Sequence, residues 1–553
     1  MKRAIGPLLR IDVDERTATT EPIDDVLERF IGGRGVGTKL AHDNIPFDAD
    51  PFGPENRLYL TTGPLQMSQM SFTGRMSMTT LSPLTNGICS SNAGGFLSRN
   101  FTGTGYSAVE ISGSSDELIA IHVTDDGVEF EEVASLAGAT VPAVSEHMDD
   151  EHDLEPDNLV SIGPAGENQV RFASAMTFDS RAFGRGGHGA VLGSKNVKCI
   201  SFRGDSTPSV ELDGDVEMSV HRDAATSDDM KRRQGTTAGT LFINENYSVP
   251  TRYFSEMGFE NIDGISGDRV EEKKYKKGSC SVCAFACKLP TRDEETGLET
   301  EGPEFETVFS FGANCGVDDI VAVMKSNELC DTLGMDTISA GNAVAAYLAS
   351  EDEFGNADLV HELTEKIAHR EGIGDTLAEG VARAHDELGV ENWSVKGMDF
   401  AAHDGRTLWG QGLSYAVSNR GADHLYTSML VLEYGDLENE TLDGKPELVI
   451  ERENHRAFED SAIICRFSGR HVDEAVYEGL LEAEYDELLS VGNRIVELER
   501  HFHNERGVTR EDDTLPYELD GFEDALEQYY ERRGWNDDGT VPESAFADEV
   551  VTS

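Results

Sequence analysis

Three cysteines, Cys280, Cys283 and Cys287, stand at C-x2-C-x3-C spacing in the segment GSCSVCAFACKL (278–289) of a chain that holds only eight. Thiolates are soft ligands, and three in one short loop can share a metal centre. A structural zinc site usually joins two such clips, and the sequence offers no second one, which weakens zinc. Enzymes that cleave S-adenosylmethionine use the reverse order, C-x3-C-x2-C. A [4Fe–4S] cluster takes four thiolates, commonly three close in sequence and one remote, and this reading fits the spacing best. Candidates for the remote ligand are Cys315, Cys330 and Cys465, ahead of Cys89 and Cys199. Cys330 falls in an amphipathic helical pattern, where a buried small hydrophobe is an equal reading. Spacing alone does not choose among them.

Glycine-rich loops form a second group with chemical meaning: GGRGVG (32–37), SNAGG (91–95) and GRGGHG (184–189). Glycine permits close backbone approach, and several such loops in one region suggest a large phosphate-bearing ligand cradled by backbone N–H groups. GRGGHG is a literal GxGxxG, with Asp205 at about the distance of a ribose-binding acid. A dinucleotide fold needs a strand directly before the loop and a full helix after it. Thr177–Phe183 reads as turn-like instead, and Ala190–Asn196 is too short for a crossover helix. GAVLGSK (189–195) departs from a P-loop in both its glycine spacing and its Ser–Lys order.

The elements that must position these residues change along the chain. Up to about residue 205 the sequence is rich in Gly, Ser and Thr, with short β-like runs at Leu8–Val13, Leu118–Val123, Val170–Met176 and Val197–Phe202. Beyond it, acidic helix-compatible segments dominate, among them Asp318–Leu333, Ala357–Arg370 and Tyr477–Phe502, followed by an acidic C-terminal tail. The expected fold class is α+β. It comprises a β-rich N-terminal domain (1–205), a helical domain carrying the cysteine trio (206–395) and a helical C-terminal domain (396–553).

Composition bounds the function. With 553 residues the chain can bury a large core. Its 104 acidic against 46 basic residues, a formal net charge of −58, argue against nucleic acid and anionic membranes as partners. A solvated, self-repelling acidic shell is tolerable where salt screens it, the Debye length being roughly 3 Å at 1 M, so a halophilic, salt-rich cytoplasm is the expected setting. The apolar run near the start is too short for a signal sequence, and no stretch approaches ~20 apolar residues. Few, clustered cysteines suit metal binding in a reducing compartment.

Taken together, these segments resemble the aldehyde:ferredoxin oxidoreductase family, the tungsten bis-pterin enzymes. The resemblance runs through FIGGRGVGTKL (30–40), TTGPL (61–65), SFTGRMSMTTLSPLTNGICSSNAGGF (71–96), SIGPAGENQVRFASAM (161–176) and RAFGRGGHGAVLGSKNVKCI (181–200). It continues with CSVCAFACK (280–288), GPEFET (302–307), DTLGMD (331–336), GIGDTLAEG (372–380), SNRGADHL (418–425), DSAIIC (460–465) and RGVTREDDTLP (506–516). It implies that Cys280, Cys283, Cys287 and Cys465 hold one [4Fe–4S] cluster. The chain departs from the family pattern by placing Ile463 where relatives usually carry Gly.

The resemblance also implies a bis-molybdopterin whose dithiolenes supply all the sulfurs to the metal. No side chain then distinguishes tungsten from molybdenum. Asn92 and the Ala182 backbone would lie near a magnesium bridging the pterin phosphates, with Gly184, Arg185 and Gly186 of the same loop against the cofactor. Arg75 would lie between pterin and cluster, and Asp331, Asp336 and Asp460 would accept pterin N–H groups. Aldehyde oxidation adds one oxygen from water and releases two electrons and two protons, so it needs an electron acceptor, a base and a carbonyl donor. Glu304 or Glu306 would be the base, His424 the donor, and His403 would shape substrate choice. Electrons would leave to ferredoxin. The family includes dimers, so a homodimer is a further expectation. Competing readings are a family relative acting on another carbonyl or acyl group, an iron–sulfur dehydrogenase using nicotinamide or flavin, and a metal-stapled scaffold without activity.

Overall fold

The computed structural model describes residues 1–178, 180–435 and 437–546; the last seven residues of the acidic tail lie outside the described residues. Two six-stranded sheets build the N-terminal part. The first contains β1 (Leu8–Asp12), β2 (Thr17–Glu21), β3 (Leu58–Thr61), β4 (Arg75–Leu81), β5 (Ile88–Gly94) and β6 (Ala108–Ser112), in the order β2-β1-β6-β3-β4-β5. The second contains β7 (Ile119–Thr124), β8 (Gly127–Glu132), β9 (Leu159–Ser161), β10 (Ala175–Thr177), β11 (Arg181–Phe183) and β12 (Val197–Arg203), in the order β11-β10-β9-β12-β7-β8. Alternating apolar residues of both sheets, among them Leu9, Ile11, Leu58, Leu60, Ile119, Ile121 and Ile200, meet in one shared core. Full burial of each such side chain stabilises by about 1.5–3 kcal/mol.

Helices dominate from Gly214 onward. Ile320–Leu333 and Thr337–Glu351 start on the side chains of Asp319 and Asp336, which accept from the free first-turn amides. Lys445–Ala462 and Tyr485–Glu505 pack on Gly33–Asn44 and bury Phe30, Val36, Phe458, Ile495 and Phe502 in a second core. The N-terminal β-sheet part followed by helices matches the α+β expectation. Among the described residues no single helix is long and apolar enough to cross a membrane.

Four local expectations need correction. Only Ala175–Thr177 of the Val170–Met176 run is a strand, because the Val170 and Ala173 amides close turns onto the Ala165 and Val170 carbonyls. Tyr477–Phe502 is two helices, Glu474–Leu481 and Tyr485–Glu505. The chain breaks at left-handed Glu482 (φ 50), where Lys2 bonds the Leu481 carbonyl and pairs with the Glu482 carboxylate. Thr177–Phe183 is not merely a turn, since its ends form the β10–β11 hairpin. A seven-residue helix, His188–Ser194, does follow GRGGHG.

That last pair of findings still gives no dinucleotide fold. The hairpin is antiparallel, and β9 and β10 separate β11 from β12. Asp205 is exposed and its amide bonds Asp125. Two glycines of the GRGGHG region serve packing. A Cβ on Gly187 would stand 2.1 Å from the Arg171 carbonyl oxygen, and one on Gly193 1.9 Å from that of Gly166. GGRGVG likewise opens the helix Gly33–Asn44, where a Cβ on Gly33 would meet the Asp460 carbonyl oxygen at 2.2 Å. Close approach of two chain segments accounts for Gly33, Gly187 and Gly193.

Candidate functional site

The cysteine trio lies on a loop clamped by its backbone: the Ser281 amide bonds the Gly95 carbonyl, the Cys283 amide bonds that of Cys280, and the Ala284 amide bonds Ser71 Oγ. Val282 (φ 51) and Ala286 (φ 50), each one residue before a cysteine, take the left-handed conformation. For residues with a Cβ this costs roughly 1–2 kcal/mol each, strain that persists only where surrounding contacts impose it. Cys465 reaches the same place from the end of the helix Lys445–Ala462, its amide bonded to the Phe72 carbonyl. Cys280, Cys283 and Cys465 all act electrostatically on the Cys287 thiol, which burial pushes up. The other four cysteines are buried elsewhere: Cys330 in its helix, Cys315 with its thiol donating to the Ser310 carbonyl, Cys89 and Cys199 on strands.

Among the described residues no three of these sulfurs come within 4.8 Å of one another. A single tetrahedral zinc with Zn–S bonds of 2.3 Å would hold them about 3.8 Å apart. The four-thiol set therefore fits a cluster better than one ion.

Arg75, at the start of β4, is fixed by Asn92 across the β4–β5 ladder. Nε donates to Asn92 Oδ1 at 2.7 Å, Nη2 to the Asn92 carbonyl at 2.6 Å, and Nη1 approaches Cys465 Sγ at 3.9 Å. Asn92 Nδ2 is buried without a partner. Two further cations gather here that sequence reasoning missed. Arg181 on β11 feels Glu301, Cys280 and Glu304, and Lys288 pairs with Glu304 at 3.0 Å. The signal for Lys288 was its place directly after the last cysteine of the trio.

The two carboxylates of GPEFET part company. Glu304 caps a short helix start, and the attraction of Lys288, with Arg181 and Arg75 adding to it, holds its carboxyl down at about 2. Glu306 turns the other way. Its Oε2 accepts the Ala402 amide at 2.9 Å, while Oε1 lies 3.3 Å from His424 Nε2 and 3.7 Å from His403 Nε2 without a hydrogen bond. Burial pushes the Glu306 carboxyl up, and it pushes His403 well down, with His424 adding to that. His403 Nδ1 is 3.1 Å from the Tyr434 hydroxyl. The next turn, Val308–Gly312, is π-helical, a distortion that recurs at functional sites.

Asp423 organises the His424 loop by accepting the Leu425 and Tyr426 amides, and it pairs with Arg420 at 3.5 Å. Arg185 donates to the side chain and carbonyl of Asp399 and to Asp336, whose carboxylate also caps the helix Thr337–Glu351. Both therefore have partners within the chain as well as a place beside the unpartnered Asp399 Oδ1. Asp331 is held by Asn327 at 2.8 Å, and burial pushes its carboxyl well up. Asp460 accepts Arg466 at 2.7 Å and lies 3.6 Å from Arg34. Ala182 stands opposite Met176 in the β10–β11 hairpin. Gly184 fronts open space, whereas Gly186 (φ 101) is required because a Cβ would stand 2.4 Å from Cys89 Sγ.

The structure thus brings Cys280, Cys283, Cys287, Cys465, Arg75, Asn92 and Glu304 into one neighbourhood, and Glu306, His403 and His424 into another. Only one residue separates the two glutamates in sequence. Asn92 Nδ2, Asp399 Oδ1, Asp423 Oδ2, Arg420 Nε and Arg34 Nη1 are buried around these neighbourhoods without hydrogen-bond partners. A buried polar atom left unpaired costs roughly 1–3 kcal/mol. So dense a set fits a polar group, rich in donors and acceptors, seated among them.

Comparisons with known proteins identify the family. Residues 8–204 match the family model described as aldehyde ferredoxin oxidoreductase, N-terminal domain, and residues 215–548 that of its domains 2 and 3. The tungsten-containing aldehyde ferredoxin oxidoreductase of Pyrococcus furiosus is 32% identical over 97% of both chains. The WOR-like subunit of an aliphatic sulfonate oxidoreductase from the same organism is 28% identical, over 99% of this chain and 96% of that one. Among solved structures, the BamBC active-site complex of benzoyl coenzyme A reductase with 1,5-dienoyl-CoA superposes with a TM-score of 0.83. It covers 99% of this chain and 97% of that one at 21% identity.

Proposed function

The chain belongs to the aldehyde ferredoxin oxidoreductase family, and from that membership we propose that it oxidises an aldehyde to the carboxylic acid. Cys280, Cys283, Cys287 and Cys465 would hold a [4Fe–4S] cluster. Arg75, Asn92, Ala182, Gly184, Arg185, Gly186, Asp331, Asp336 and Asp460 would hold a bis-molybdopterin carrying tungsten, with Asn92 near an accompanying magnesium. Bound there, the tungsten–pterin group supplies a two-electron sink for the substrate.

The observation that carries the reading is the Glu306–His424 pair. Glu306 Oε1 is unpaired and its carboxyl has a raised proton affinity, as suits a base that takes a proton from water or from the hydrated aldehyde. Glu304 is already bound to Lys288 and is a poor base. His424 Nε2 donates toward the carbonyl oxygen, and His403, kept neutral by burial, borders the substrate.

Electron exit to a small acidic carrier such as ferredoxin is supported by charge. In a chain of net −58, Arg232, Lys274, Lys276 and Lys277 precede the cysteine loop, and among the described residues no carboxylate lies within salt-bridge distance of them, though Glu271 and Glu299 act on Lys274 and Lys276 from farther off. Arg232 Nε even donates to the Phe285 carbonyl within the loop, and Lys274 Nζ to the Arg232 carbonyl. The acidic remainder of the chain supports a salt-rich cytoplasmic setting. Metal analysis of protein purified without air in high salt, then an aldehyde panel with a redox dye, tests the reading. About four irons and one tungsten per chain with aldehyde-dependent dye reduction support it. Folded, air-protected protein with neither iron nor tungsten, whatever its zinc content, would overturn it. A sulfonate oxidoreductase subunit among the relatives makes other substrates the first controls.

A further inference from the structure

On the outer face of the second sheet, apart from the cysteine trio's loop, three ligand-type side chains converge. His122 lies on β7 and Glu131 on β8, diagonal neighbours on one face because Ala120 pairs with Glu131 and His122 with Glu129. His152 is the last residue of the helix Val141–His152, which reaches over that face. Glu131 Oε2 stands 3.1 Å from His122 Nε2 and 2.9 Å from His152 Nε2, and the three atoms lie within 4.8 Å of one another. It is the one such trio of His, Cys, Asp or Glu atoms among the described residues.

We infer that His122, Glu131 and His152 form a divalent transition-metal site, best suited to zinc, that clips the helix end to the sheet edge. The spacing matches the metal: bonds of 2.0–2.1 Å in a tetrahedron place ligand atoms about 3.3 Å apart. Two imidazoles and one carboxylate are a common zinc donor set, with the fourth position left to water. Glu131 and His152 are each about one-third exposed, so that position has solvent access.

A supporting partner orients one ligand. His122 Nδ1 lies 2.8 Å from Ser201 Oγ on the neighbouring strand β12, and its Nε2 is hydrogen-bonded to Glu131 Oε2; with the proton on Nδ1, Nε2 instead offers a lone pair to a metal shared with that oxygen. His152 Nε2 is the second observation. It is buried, points at Glu131 Oε2 from 2.9 Å, and falls outside hydrogen-bond alignment. A proton can bridge such a pair, and so can a metal ion, which would bind the nitrogen and the carboxylate oxygen at once. The mechanical setting favours a clip as well: β8 is an edge strand, and the chain leaves the helix through left-handed Asp153 (φ 54), whose carbonyl Arg203 binds.

The test uses the whole protein carrying its iron and tungsten. It is dialysed against zinc chloride, then against metal-free buffer at pH 7.5, and analysed for all three metals. One zinc per chain retained by the wild type and lost in Glu131→Gln and in His152→Gln, with iron and tungsten unchanged, is the expected result. Zinc should also raise the thermal midpoint of the wild type and of neither variant. Equal zinc in wild type and variants, or none in the wild type, would overturn the inference. Because the two substitutions lie on different elements, a folding defect in one leaves the other to decide.

Discussion

Glu306 Oε1 stands 3.3 Å from His424 Nε2, and no hydrogen bond draws that oxygen elsewhere. An acid and a donor share a buried corner, and two residues away in sequence Glu304 is spent on Lys288. Glu306→Gln should lower kcat with an aldehyde by at least about 100-fold. Glu304→Gln should cost far less. Iron content and the visible spectrum should be normal in Glu306→Gln, and steady-state dye reduction measures the rest.

The raised Glu306 carboxyl gives a signed pH dependence. A base must be unprotonated, so kcat/KM should fall as pH drops through a value above the ordinary carboxyl range of about 4.3. Stability runs the opposite way. A folded-state value above the unfolded one adds stability that is complete below about 4.3 and is lost as pH rises through the raised value. At pH 7.5 Glu306→Gln should therefore be more stable than the wild type in a thermal melt, and the difference should vanish below about pH 4. A lowered melting midpoint would contradict the argument.

Arg75 places a guanidinium nitrogen 3.9 Å from Cys465 Sγ. A fixed cation favours the more negative, reduced form of a cluster. Arg75→Gln should make its reduction potential more negative, as read by a redox titration followed by electron paramagnetic resonance. An unchanged potential would separate this arginine from the centre.

Cys465→Ser should lose the cluster absorbance and most of the iron, whereas Cys330→Ser, at a helix site closed to the trio, should retain both. Equal loss in the two variants would point to a general folding defect instead.

Lys276→Glu/Lys277→Glu should slow reduction of an acidic protein carrier about tenfold at low salt, and the difference should close as salt rises. Reduction of a small neutral dye should not change. That contrast separates carrier docking from the chemistry.

Much of this was legible in the sequence, for identifiable reasons. Cysteine spacing is local, so the trio could be read directly, and alternation marked β1, β7 and β12. The partner of each carboxylate was not legible. GPEFET presents two glutamates in one motif, and only the turn between them sends one to Lys288 and the other to His424. Helix breaks escaped as well, since left-handed Glu482 carries no glycine to announce it. The diagonal pairing of His122 with Glu131 depends on hairpin register, and His152 comes from a helix that no short motif ties to either.

Ile463 is buried with φ 65, a conformation that suits glycine, and its side chain lies on Gly33 and Gly63. The next residue but one is Cys465, so the last of the four thiols leaves the ribosome long after Cys287. Arg75 and Asn92 line the place where Cys465 docks. Closing a ring of four thiols therefore depends on a segment drawn from far along the chain, and a fragment that stops short of it would keep only the local three.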